Sequence, residues 1–185
     1  AAGMLPFIPG HEFTGTISRI GDRVRNLKIG QRVVVDINIG CGHCHYCRRN
    51  EILNCEAVRQ IGIHRDGAFA EYVVVPGRLV IPAPEDAAPE LLALTEPVAC
   101  VVRAARKAAI GFGQSVVVLG AGPIGNLHIQ MMRLVGAAPI IAVEVSPERA
   151  ELAVEAGADV VISHPEDARR IVRERTGGRG ADFAI

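Results

Sequence analysis

The sequence predicts an α/β protein in two consecutive parts, a β-rich first part followed by a doubly wound parallel sheet. Three observations carry this. Up to about residue 82, short β-branched runs are broken by Gly, Asp, Asn and Pro. From Ser115 onward, near-continuous apolar strands alternate strictly with helical patterns, as in a parallel sheet covered by helices. Between the first strand and the first helix of that alternation lies a glycine-rich turn, GAGPIG, at 120–125.

In the first part, the runs TGTISRI, QRVVVDINI, AEYVVVP and RLVIP read as strands. Helical character begins after the proline-rich IPAPEDAAPE. Glu96-Pro97 gives an acidic, proline-led start to a helix over 96–107 that bridges the two parts. In the second part, SVVVLG, PIIAVEV, DVVIS and ADFAI are strands, separated by helices over 123–135, 147–156 and 166–175. The expected division is 1–110 and 111–185, with the boundary at GFGQ.

Bulk composition narrows the function. The 185 residues are 49% hydrophobic and 22% charged, which provides for a real core. Twenty basic residues balance twenty acidic ones, so there is no field of the kind that attracts nucleic acid or an anionic membrane, and small-molecule partners are expected. No apolar run approaches the ~20 residues of a membrane span and no basic-then-apolar leader is read, so a cytoplasmic setting is expected. The first residue is not Met and the last run is apolar, so the chain is expected to continue at both ends.

The turn GAGPIG carries specific chemistry. Gly120 makes the tight turn, Gly122 lets the backbone approach a pyrophosphate, and Gly125 permits close helix-to-strand packing, while the helix that starts at Pro123 points its N-terminus at the phosphates. The next strand ends at Glu144, placed to bond both ribose hydroxyls and to repel a 2′-phosphate. NAD is therefore expected over NADP, although Arg149 lies close enough in sequence to receive a phosphate. A solvated charge pair at a helix start is the plainer reading of Glu144 and Arg149.

Four of the five cysteines, Cys41, Cys44, Cys47 and Cys55, are spaced C-x2-C-x2-C-x7-C. Four thiolates with no open position suit a closed tetrahedral zinc site that supports folding. An iron–sulfur cluster is the rival, but the ferredoxin motif continues x3-C-P, whereas here the fourth cysteine is delayed and followed by Glu56. His43 and His45 are expected to face solvent. Cys100, inside an apolar helix, is expected to be a small packing residue, and His64 a histidine on a loop surface.

The ordered set GHE at 10–12, the cysteine lobe, GAFAEY at 67–72, Glu96-Pro97 and GAGPIG resembles the zinc-dependent medium-chain alcohol dehydrogenases, in particular their polyol, sorbitol-like and threonine dehydrogenase branch. The resemblance covers nearly the whole chain. It implies a partial GroES-like catalytic domain followed by a partial Rossmann domain, with the active site in the cleft between them. It makes His11 a ligand of a catalytic zinc, Glu12 a ligand or neighbour of that ion, and Glu96 a direct or water-bridged ligand. It matches the four lobe cysteines to a structural zinc, and Ile124, Glu144 and Arg149 to positions lining the NAD site.

The activity so implied is hydride transfer between a secondary alcohol and NAD, in a protein that is a homo-oligomer when intact. The family's remaining catalytic-zinc ligand, a cysteine upstream of the histidine, is not among these residues. A non-catalytic polypeptide that binds zinc and dinucleotide is therefore the alternative, and a zinc-free reductase of the same fold is disfavoured by the lobe and by His11-Glu12.

Overall fold

The computed structural model describes residues 5–185. Backbone contacts divide the chain into two compact units, Ala1–Glu96 and Pro97–Ile185, so the helix expected to bridge the parts is grouped with the second from its third residue onward. Among the described residues, no helix is long and apolar enough to cross a membrane.

The first unit is held by short strands. β1 (Thr14–Thr16), β2 (Arg32–Val35) and, later in the chain, the strand Val80–Pro82 form an antiparallel sheet with β2 in the middle. Val33 and Val34 of the central strand are buried, as its β-branched composition suits. β3 (Asn38–Ile39) pairs antiparallel with β4 (Arg59–Gln60), and the excursion between them carries α1 (His45–Arg48) and the four clustered cysteines. The strand Val80–Pro82, β5, leads to α2 (Pro89–Ala93), which packs against β1. Arg32 fastens this return by donating from Nη1 to the Ala87 carbonyl at 2.7 Å.

One expected strand is not formed. In AEYVVVP, residues 71–76 have no ladder partner among the described residues, and Tyr72 and Val74 are exposed. The alternation of a strand is present there, but a strand is defined by its neighbour, and none pairs with this run.

The second unit follows the expected alternation closely: α3 (Thr95–Ala108), β6 (Val116–Leu119), α4 (Pro123–Leu134), β7 (Ile140–Val143), α5 (Pro147–Glu155), β8 (Val160–Ile162), α6 (Ala168–Arg175) and β9 (Phe183–Ala184). All pairings are parallel and the spatial order is β8-β7-β6-β9, so the chain reverses direction across the sheet beside β6. Alternate strand residues feed opposite faces. Val116, Val118, Ile140 and Ala142 pack with Ile129, Met132 and Ala153, while Val117, Ile141, Val143 and Ile162 pack with Ile171 and Val172. The last strand is clasped to the first: Asp182 Oδ2 accepts from the backbone N–H of Ser115 at 2.8 Å and from its hydroxyl at 2.7 Å.

Cys100 departs from expectation. The buried stripe of α3 is Pro97, Val101 and Ala105, one position every helical turn, and Cys100 falls outside it and is exposed.

Candidate metal and dinucleotide sites

Two groups of metal-binding side chains assemble in the first unit. In the lobe, the sulfurs of Cys41, Cys44, Cys47 and Cys55 all lie within 4.8 Å of one another. The local sequence explains the convergence. Cys44 caps α1, with its sulfur accepting from the Cys47 N–H at 3.4 Å, and the Cys44 and Cys41 N–H groups donate to the sulfurs of Cys41 and Cys55 at the same distance. Gly40 makes room, since a Cβ there would sit 2.7 Å from the Cys47 sulfur.

The sulfurs interact strongly. Backbone N–H groups of His43 and Cys44 pull the Cys41 thiol down to about 6, and Cys47, despite the N–H of Gly42, is pushed up to about 11 by burial and its sulfur neighbours. Four sulfurs at this spacing, fed by N–H donors that favour thiolate, form a donor set that fits tetrahedral zinc. His43 and His45 are exposed, as expected of residues outside the set.

The second group joins His11, Glu12 and Glu96, whose ligand atoms also lie within 4.8 Å of one another. His11 and Glu12 precede β1, and Glu96 lies in the first turn of α3 just beyond α2, the helix that packs on β1. One imidazole and two carboxylates, partly buried at His11 and Glu96, form a nitrogen and oxygen set that fits zinc. The turn into His11 needs glycine, because Gly10 has φ +103° and its Cβ would meet the Phe69 ring at 2.6 Å. An open groove of about 580 Å³ runs past Ile8, Asp66 and Tyr72, but none of the three donor residues lines it. His64 is exposed, with its Nδ1 accepting from the Gln60 N–H at 3.2 Å.

In the second unit, GAGPIG forms the turn from β6 into α4. Gly120 has φ +92°, and Gly125 packs so tightly that a Cβ would collide with the Gly120 carbonyl oxygen. Around Gly122, by contrast, the nearest atom to an added Cβ is Arg149 Nη1 at 4.0 Å, which leaves the open approach a pyrophosphate requires. Pro123 opens α4, where its missing N–H is not needed, and Ile124 is exposed beside it. The loop sits at the C-terminal end of β6, beside the reversal of strand order.

Glu144, at the end of β7, is only 5% exposed, which rules out the solvated charge pair. Its two oxygens accept from the backbone N–H of Ser146 at 2.9 Å and of Ala121 at 2.8 Å. The Ser146 bond most of all, against the opposing effect of burial, and then the Ala121 bond hold its carboxyl below the usual range. Two bonds leave lone pairs for a ribose. The bond to Ala121 ties acid and loop together, a link that residue spacing does not reveal. Asp66, which bonds the Ile8 N–H just before His11, is a second contact without a sequence signal.

Known proteins resemble this chain along both of its units. Residues 1–85 match the family described as the alcohol dehydrogenase GroES-like domain, and residues 123–185 match that described as zinc-binding dehydrogenase. The chain is 39% identical to an L-threonine 3-dehydrogenase of Pyrococcus horikoshii over 97% of its own length and 52% of the relative's. A crystal structure of a protein from Sinorhizobium meliloti, described as a zinc-binding dehydrogenase and bound to NADP, superposes with a TM-score of 0.89 and 36% identity. That match covers 98% of this chain and 54% of the other. An alcohol dehydrogenase from Escherichia coli complexed with NADH gives a TM-score of 0.85 and 32% identity over 91% and 50% of the two chains. The chain spans about half the length of the curated relatives it matches. With both family models matched in order along the chain, it belongs to the zinc-dependent medium-chain dehydrogenases.

Proposed function

We propose that this chain carries the metal donors and the dinucleotide platform of an enzyme that moves a hydride between a secondary alcohol, of polyol, sugar-acid or amino-alcohol type, and NAD. The observation that carries the reading is the meeting of His11, Glu12 and Glu96 within 4.8 Å, on a chain whose second unit holds a complete glycine turn. When bound, zinc supplies Lewis-acid polarisation of an alcohol oxygen and the nicotinamide supplies the hydride acceptor.

The chain's own residues bind and orient these groups. His11 offers a neutral imidazole nitrogen, and Glu12 and Glu96 offer carboxylate oxygens that offset the charge of a divalent ion. Cys41, Cys44, Cys47 and Cys55 hold a second zinc whose task is to fold the lobe. Backbone N–H groups at the start of α4 receive the pyrophosphate, with Gly122 leaving the approach clear. Glu144 accepts the ribose hydroxyls and disfavours a 2′-phosphate, which supports NAD over NADP. Arg149, near Gly122, and Ile124 complete the cofactor surface.

A cytoplasmic setting belongs to this reading, since a lobe whose four cysteines ligate zinc needs its thiols reduced. The test is NAD reduction by the protein with its flanking sequence, using threonine, sorbitol and butanediol as substrates. Turnover of at least one, lost by more than about 100-fold in His11→Ala, is expected. Turnover indifferent to chelation and to His11→Ala would sink the reading.

The chain's half-length match favours a second reading for the 185-residue polypeptide alone, as a binder of lobe zinc and dinucleotide without turnover. Activity of that polypeptide would overturn it.

A further inference from the structure

We propose that Asp66 is a positioning residue for His11, acting through the backbone of the three residues that precede it. The inference rests on the reading of His11 as a metal donor.

The segment Ile8–Gly10 is gripped along its whole length by the segment Asp66–Phe69. Gly67 N–H donates to the Ile8 carbonyl at 2.7 Å, Phe69 N–H to the Pro9 carbonyl at 3.0 Å and Ala68 N–H to the Gly10 carbonyl at 3.0 Å. Those three bonds fix carbonyls only. Pro9 has no N–H, so Ile8 and Gly10 carry the segment's backbone donors, and the Ile8 N–H stands at its entrance. It donates to Asp66 Oδ1 at 3.0 Å.

The grip is close because both sides are glycine. A Cβ on Gly62 or on Gly67 would collide with the Gly10 carbonyl, and Gly10 turns with φ +103° directly into His11. With all three carbonyls held by consecutive N–H groups and the Ile8 N–H held by a carboxylate, little rotation is left about the backbone that aims the imidazole. Removing the Asp66 acceptor frees one side of the clasp, and His11 then searches for its position instead of being presented in it. Partners bonded directly to a metal ligand commonly change metal affinity by about 10- to 100-fold, and a brace relayed through three residues of backbone acts in the same direction at the lower end of that range.

The test uses the 185-residue polypeptide with one equivalent of zinc to fill the cysteine lobe. Amide exchange at Ile8 and the imidazole resonances of His11 are read by NMR, and cobalt is then titrated, with thiolate absorption marking any cobalt in the lobe. The parent is expected to show a protected Ile8 amide. Asp66→Ala should release that protection, move the His11 resonances and weaken cobalt at His11, Glu12 and Glu96 by about tenfold, with lobe affinity unchanged. Asp66→Asn, which keeps an acceptor oxygen, should restore all three readouts.

An unprotected Ile8 amide in the parent overturns the proposal, as does Asp66→Ala with the parent's His11 resonances. If Asp66→Ala does not fold, the parent's Ile8 exchange and the Asp66→Asn spectrum decide. Cobalt confined to the lobe of a parent with the expected Ile8 and His11 behaviour would overturn the metal reading while leaving the clasp intact.

Discussion

Glu144 Oε2 accepts the Ala121 N–H at 2.8 Å, so the acid that ends β7 also braces the glycine turn that follows β6. One side chain thereby serves the adenosine side of the site and the shape of the phosphate loop. Glu144→Ala should weaken NADH binding and lower stability by about 1–3 kcal/mol, since it leaves the buried N–H of Ala121 and the part-buried N–H of Ser146 without their acceptor. Because the folded carboxyl sits below its ordinary value, its contribution is present above about pH 4.3, the unfolded range for glutamate, and is lost as pH falls through the lower folded value. Denaturant melts from pH 3 to 7 should show the wild type losing stability in acid and Glu144→Ala losing less.

Two glycines of the turn make opposite predictions about fold. A methyl at Gly125 meets the Gly120 carbonyl, so Gly125→Ala should cost about 1–3 kcal/mol along with cofactor binding. A methyl at Gly122 meets no atom closer than 4.0 Å, so Gly122→Ala should keep the melting temperature and lose NADH affinity. Thermal melts paired with NADH titration check both.

In the zinc-free lobe the neighbouring sulfurs share their protons, with Cys41 pulled toward thiolate by backbone N–H groups and Cys47 pushed toward thiol by burial and its sulfur neighbours. Zinc binding should therefore release at least one proton, and affinity should fall as pH drops, by about tenfold per unit for each proton released. Calorimetry in two buffers of different ionisation enthalpy measures the release. No proton release at pH 7.5 would contradict the picture.

His128 on α4 is 8% exposed and its Nδ1 has no hydrogen-bond partner among the described residues, while burial holds its pKa below the ordinary value. The unfolded chain therefore binds a proton more readily, and stability should decline as pH falls below about 6.5. His128→Leu, which removes the orphaned nitrogen, should be neutral or stabilising by about 1 kcal/mol at pH 7 and should flatten that decline. Urea melts at pH 7.5 and pH 5.5 provide the comparison.

The second unit was legible because its signals are local: apolar runs of strand length, helical spacing, and glycines at fixed offsets that each answer to a backbone requirement. The cysteine lobe was legible for the same reason, four thiols within one short loop. What needed the structure depends on contacts far apart in the chain. The run at 71–76 has strand composition but no partner, and Cys100 has apolar neighbours in sequence but lies off the buried stripe of its helix. Glu96 meets His11 only because α2 packs on β1, so resemblance could pair the two where spacing could not. The clasps from Asp66 to Ile8 and from Asp182 to Ser115 leave no mark in the sequence at all.

The most direct test of the account is an equilibrium titration of the 185-residue polypeptide with NADH and with NADPH, followed by the cofactor's fluorescence. Saturable NADH binding is expected, with NADPH weaker by about tenfold or more and the gap narrowed in Glu144→Ala. A folded chain that binds neither cofactor, or that binds NADPH as tightly as NADH, would contradict it.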